Sequence, residues 1–109
     1  MKKLIYIVLI LTSSKLIASE QIPSTKILSL AVYDSYAVVR LATPGQNAEN
    51  CSHSAAGNWA AISFDSNKNK EMYSAILSAR IADKSIGFGL NGCRNWGTAT
   101  VPSIYRVDL

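Results

Sequence analysis

The stretch Trp59–Leu90, WAAISFDSNKNKEMYSAILSARIADKSIGFGL, decides the fold. Trp59 to Asp65 is a short β-rich run that predicts a strand with Ile62 and Phe64 inward. Ser66, Asn67 and Asn69 are helix-starting residues. Glu71 falls in the expected first turn, where a carboxylate suits the positive end of the helix. Lys70 to Asp83 (KEMYSAILSARIAD) then changes period from two to 3.6. Met72, Ile76 and Ala79 share one stripe, with Tyr73, Leu77 and Ile81 beside it and Ser74 and Ser78 opposite. This predicts a helix burying Met72, Ile76 and Leu77 and leaving Arg80 outside the core. Ser85 to Leu90 returns to strand, with Ile86, Phe88 and Leu90 inward.

Towards the N-terminus, Thr25 to Tyr33 (TKILSLAVY) alternates with Leu28, Leu30 and Val32 on one face. Asp34-Ser35 is a turn pair, and Ser35 to Thr43 (SYAVVRLAT) follows. Ala37, Val39 and Leu41 share one face of it; Tyr36, Val38 and Arg40 share the other. The two runs read as a hairpin ended by Pro44-Gly45. Gln46 to Asn58 is small and polar, a loop. Towards the C-terminus, Asn91-Gly92 reads as a turn and Arg94 to Pro102 as a loop. Ser103 to Leu109 reads as a strand with Tyr105 and Val107 inward.

The order is therefore β-β-β-α-β-β, mainly β with one helix. Five strands with one helix between the third and fourth is the order of the OB-fold, a small partly open barrel. The competing architecture is an open antiparallel sheet with the helix packed across one face.

The first residues belong to another category. Lys2 and Lys3, the apolar run Leu4 to Leu11, and the small residues up to Ser19 have the layout of a secretory signal peptide. The cut is expected after Ala18 or Ser19, which assigns 1–19 to the signal and 20–109 to one domain. The eight-residue apolar run is short of the roughly 20 residues a spanning helix needs. No stable membrane insertion is expected after processing. The full chain has 11 Lys+Arg and 7 Asp+Glu; losing Lys2, Lys3 and Lys15 leaves 8 basic and 7 acidic groups, net +1. Such a balance, with basic residues scattered among acids, excludes a nucleic-acid stripe.

Cys51 and Cys93 are the only cysteines. An even count in a small exported domain predicts one disulfide between them. Such a bridge closes a loop worth about 4 kcal/mol in the chain-entropy model. A metal site of Cys51, His53 and Cys93 lacks a fourth ligand, so no metal or cofactor is expected.

The Trp59–Leu90 run of strand, polar turn, helix with Tyr and small residues, and strand resembles the central part of the B subunits of pertussis-like and subtilase-type bacterial AB5 toxins. It also resembles small exported bacterial proteins of unknown function with a Cys after the fourth strand. The toxin resemblance implies a five-stranded barrel, a pentamer around a pore, and glycan binding on the outside. The single Cys pair and shorter ends depart from that pattern, and no sugar-contacting residue is carried over. The exported proteins are closer in length and imply no activity.

Gly87-Phe88-Gly89-Leu90-Asn91-Gly92 spells G-x-G-x-x-G, but a dinucleotide motif needs a helix after it. These glycines follow a helix and lie in a strand, where they admit a close backbone. His53, between Ser52 and Ser54, reads as a solvent-facing loop residue. No acid–base pair or nucleophile stands at usable spacing, so no enzyme is expected. Arg94-Asn95-Trp96 is the ligand candidate: a flat ring beside guanidinium and amide donors suits a sugar. The competing role for Trp96 is a plug over the barrel end. The resulting expectation is a periplasmic or secreted, non-catalytic binding module for a glycan or an envelope protein. The alternative is a structural or assembly subunit, homo-oligomeric as in a toxin ring, or an inhibitor of a secreted partner.

Overall fold

The computed structural model describes residues 19–109. Residues 1–18 of the expected signal segment lie outside the described residues. The chain runs β1 Ser19–Thr25, β2 Ile27–Val32, β3 Tyr36–Leu41, a 3₁₀ turn Ala56–Asn58, β4 Trp59–Ser63, α1 Asn67–Ala82, β5 Ile86–Trp96 and β6 Ala99–Asp108. The six strands form one mixed sheet in the order β1-β5-β6-β4-β3-β2. Neighbours are antiparallel except β4 and β6, which run parallel through Ala61 and Ser103. The class is as expected, mainly β with one helix, and the order β-β-β-α-β-β is present from β2 onward. The sheet is not closed into a barrel by hydrogen bonds: β1 and β2 are its two edges, although only Lys26 separates them in the chain.

β1 is the strand that sequence patterning passed over. Glu20, Gln21 and Pro23 give it no apolar alternation, and an edge is where a sheet tolerates proline. It pairs with β5, and its register slips by one residue between Ile22 and Thr25. Gly87 sits opposite this bulge. A Cβ there would lie 2.5 Å from the Pro23 carbonyl oxygen. The glycine therefore admits the backbone of β1, as the in-strand reading of GxGxxG required. Thr25, the buried polar residue here, is satisfied: its Oγ1 donates to Lys26 O and accepts the Thr43 N–H at 2.8 Å.

The core lies between the inner face of the sheet and the helix. Ala37, Val39, Leu41, Ile62, Ile86, Phe88, Leu90 and Ile104 build it with Ile76 of α1. Ser66 caps the helix, its Oγ accepting the Asn69 N–H at 3.1 Å. Asp83 ends it in the left-handed region at φ 55, and the Lys84 N–H reaches back to Ala79 O at 2.9 Å, the six-to-one bond of a Schellman ending. The helix begins three residues before Lys70, so Glu71 lies beyond the first turn. Ile76 and Ala79 are buried, Met72 and Leu77 half-buried, and Arg80 exposed. Ile81 is 76% exposed.

Bulges correct three other readings. Ile27 pairs with Leu41 but Ser29 with Arg40, so Leu28 is an extra residue and the alternation breaks there. Ile27 is buried, whereas Leu28 and Val32 are exposed. Tyr105 is likewise extra, because Gly89 pairs with Arg106 and Leu90 with Ile104. It points outward instead of inward. Asn91-Gly92 is not a turn but a third bulge, with Gly92 at φ 75. A left-handed glycine serves either geometry. β5 therefore continues to Trp96, and the segment expected as a loop, Arg94 to Pro102, is a hairpin turning at Gly97-Thr98, with Gly97 at φ 67.

Candidate functional site

Strand alternation gives the sheet a second, outer face. Register places Arg40 opposite Trp59, Val38 opposite Ala61, and Tyr36 opposite Ser63. On the hairpin, Arg94 is opposite Val101 and Trp96 opposite Ala99. Val38, Ala61 and Val101 form a small buried floor, and Tyr36, Trp59 and Trp96 stand partly buried around it.

Aromatic contacts run across this floor. Tyr33 and Tyr36 stack with centroids 4.8 Å apart. The Trp96 indole N–H donates to the Tyr33 hydroxyl at 3.1 Å. Trp59 tilts against Trp96 at 4.8 Å. His53 stacks on Trp96 at 5.3 Å, so it is half-buried and not a free loop residue. The stacking depends on how the loop is pinned. The Cys51–Cys93 disulfide is formed, with an S–S distance of 2.02 Å, which also removes both thiolates from any metal set. The Ser52 N–H donates to Thr100 Oγ1 at 2.8 Å and the Thr100 N–H to Ser52 Oγ at 2.9 Å. His53 Nδ1 accepts the Ala55 N–H at 2.9 Å.

Two cations lie on the aromatic faces. The Arg94 guanidinium is 4.2 Å from the Tyr36 centroid and the Arg40 guanidinium 5.7 Å from the Trp59 centroid. Arg94 Nη1 donates to Ser63 Oγ at 2.9 Å and Nη2 approaches Ser35 Oγ at 3.5 Å. Its Nε is buried with no partner. Among the described residues the ion pairs are Lys26–Asp83 and Arg106–Asp108, so no described carboxylate neutralises Arg94.

Of the three expected ligand residues, Arg94 and Trp96 share this face. Asn95 lies between them, exposed, and alternation turns it to the opposite side. Tyr33, Ser35, Tyr36, His53, Trp59 and Ser63 join the site without having been singled out for it. Tyr36 and Arg40 were readable on the strand face opposite the core. His53 and Tyr33 come from loops whose positions depend on the disulfide and the β2–β3 turn.

A second feature lies near β1. The Glu20 carboxylate accepts the N–H groups of Gln46 and of Ala48, the latter at 3.1 Å. Glu49 beside it has both carboxyl oxygens buried and unpartnered. Burial pushes its pKa up to about 6 and the neighbouring Glu20 charge adds to this, while a backbone hydrogen bond works the other way. Of the two acids, Glu20 ties down the loop before Cys51. Among the described residues, no set of three His, Cys, Asp or Glu side chains could hold a metal ion. No helix among them is long and apolar enough to cross a membrane. No protein-family model matches the chain, and no curated protein or solved structure matches it.

Proposed function

We propose that the chain is an exported, non-catalytic binding module that takes a glycan on the outer aromatic face. The observation that carries this reading is Arg94. Its guanidinium sits on Tyr36 between two serine hydroxyls, with a buried N–H left unpartnered. An unpaired buried donor costs stability unless something completes it. The guanidinium edge and the two serine hydroxyls can meet sugar oxygens while sugar C–H faces stack on the Tyr and Trp rings. Trp96 here is a wall of the site, held by Tyr33 and His53, rather than a plug over a barrel end.

In this proposal the scaffold is an OB-like barrel of the kind the toxin B subunits imply. Two observations support it. The edges β1 and β2 read as one long strand bent at Lys26, and the third and last strands of the β-β-β-α-β-β order run parallel. A glycan array with the purified protein tests the binding reading. Arg94→Ala is expected to weaken binding at least about tenfold, the scale of one charged hydrogen bond, with a small change in melting temperature. Unchanged binding, or no binding by the wild type to any glycan, refutes it. In the second case, capture of an envelope protein that Arg94→Ala abolishes would move the same face to a protein ligand.

An assembly role is the second reading. Ile81 is 76% and Leu109 93% exposed. Leu109 also lines a groove of about 340 Å³ with Ala75, Ala79 and Ala82 of α1. Exposed apolar surface of this kind favours a covering partner. Native mass measurement across a dilution series tests it; a strictly monomeric protein excludes the ring.

A further inference from the structure

We propose that Asn91-Gly92 is a deamidation site of the folded protein, built into the bulge that precedes Cys93. The reaction is an attack of the Gly92 backbone nitrogen on the Asn91 side-chain carbonyl carbon. The new C–N bond closes a succinimide ring and ammonia leaves. Water then opens the ring at either carbonyl, giving aspartate or isoaspartate, and no other reactant is needed.

Three features of the site favour this step. First, the attacking nitrogen must be unhindered, and Asn91 is the only one of the chain's seven asparagines followed by glycine. Second, the fold leaves the pair open. Leu90 pairs with Ile104 and Cys93 with Pro102, so β6 offers Asn91 and Gly92 no register partner. Asn91 is paired only with Ser19, at the outer end of an edge strand. Both residues are exposed, and nothing lies within 4 Å of a Cβ built on Gly92. A bulge is the part of a strand least held by the ladder. Third, the other asparagines are hindered or occupied. Asn47 has its amide tied to Cys51 through both Oδ1 and Nδ2. Asn67 and Asn69 are in the helix, and Asn50, Asn58 and Asn95 precede residues with side chains.

The position gives the change a consequence. An isoaspartyl link adds one atom to the backbone of β5 two residues before the disulfide. It thereby shifts the strand that carries Arg94 and Trp96 to the outer face. It also adds a negative charge to the strand facing β1, which carries Glu20.

The test is to hold the purified protein, disulfide intact, at mildly alkaline pH and warm temperature. Charge variants are separated, isoaspartate is detected with an isoaspartyl methyltransferase, and the modified residue is located by peptide mapping. The expected result is conversion at Asn91 ahead of every other asparagine. Its rate should lie within about tenfold of that in a short peptide spanning Asn91-Gly92, because an open bulge offers little protection. Slower conversion than that, or earlier conversion at Asn50 or Asn95, overturns the proposal. Gly92→Ala is strained at φ 75, so Asn91→Ser is the second variant. It should abolish the leading charge variant, and persistence of that variant in Asn91→Ser also overturns the proposal.

Discussion

Glu49 should make the protein more stable in mild acid than at neutral pH, and Glu49→Gln should remove that dependence. Its carboxyl oxygens are buried without partners beside Glu20, and its pKa is raised from 4.5 to about 6. The sign follows from linkage. Between these two values the folded protein holds a proton that the unfolded chain has released. The folded state binds more protons, so stability falls as pH rises through this window. Above it, the folded state carries the full cost of an ionised, poorly solvated carboxylate next to another. A shift of this size corresponds to about 2 kcal/mol at most. Solvent around the loop screens the interaction, which reduces the expectation to about 1 kcal/mol. Glu49→Gln keeps the shape, removes the charge, and lets the amide donate to Glu20. It should therefore stabilise the protein by about 1 kcal/mol at about pH 7.5 and by little at about pH 4.5. In a domain of this size that is about 4–8 °C in melting temperature. Urea melts of both proteins across this range measure it. A Gln variant that is less stable at neutral pH, or that keeps the wild-type pH dependence, refutes the reasoning.

Other expectations follow from packing and the cross-link. Ile76 is fully buried at the centre of the helix–sheet contact, so Ile76→Ala should cost about 2–5 kcal/mol in denaturant melts. Ile81→Ala, on the exposed side of the same helix, should stay within about 0.5 kcal/mol. The disulfide links residues 42 apart in sequence, so replacing both Cys51 and Cys93 with Ala should cost about 4 kcal/mol. Thiol labelling of the unfolded, unreduced protein should find no free cysteine, and two labelled positions would contradict the bridge.

The parts of the fold legible in the sequence are those where one periodicity governs a whole element. The helix was legible because Met72, Ile76 and Ala79 recur on one stripe and Ser66 is a good cap. β3 was legible because Ala37, Val39 and Leu41 alternate without interruption against the core. β1 was not, because an edge strand with one buried face and a proline needs little apolar patterning. Leu28, Tyr105 and the Asn91-Gly92 pair misled for a different reason. A bulge inserts one residue, and every side chain after it changes face. Sequence alternation then points the wrong way for part of the strand, as it did for Leu28 and Tyr105.

The candidate site divides along the same line. Arg94 and Trp96 were visible as a donor beside a ring, but they were placed in a loop, which would have left Asn95 free to join them. The Gly92 bulge keeps that segment in β5, and strand alternation then selects Arg94 and Trp96 for the outer face and excludes Asn95. The same continuation carries Trp96 past the end of β4, where Trp59 and His53 can pack on it, and sets Arg94 over Tyr36. A recognition loop would lose entropy on binding a ligand, whereas side chains on a paired strand, stapled at Cys93, are already ordered. The bulge thus keeps on a paired strand the side chains that the sequence alone assigned to a loop, and it does so at the residue pair whose chemistry leaves it most open to slow change.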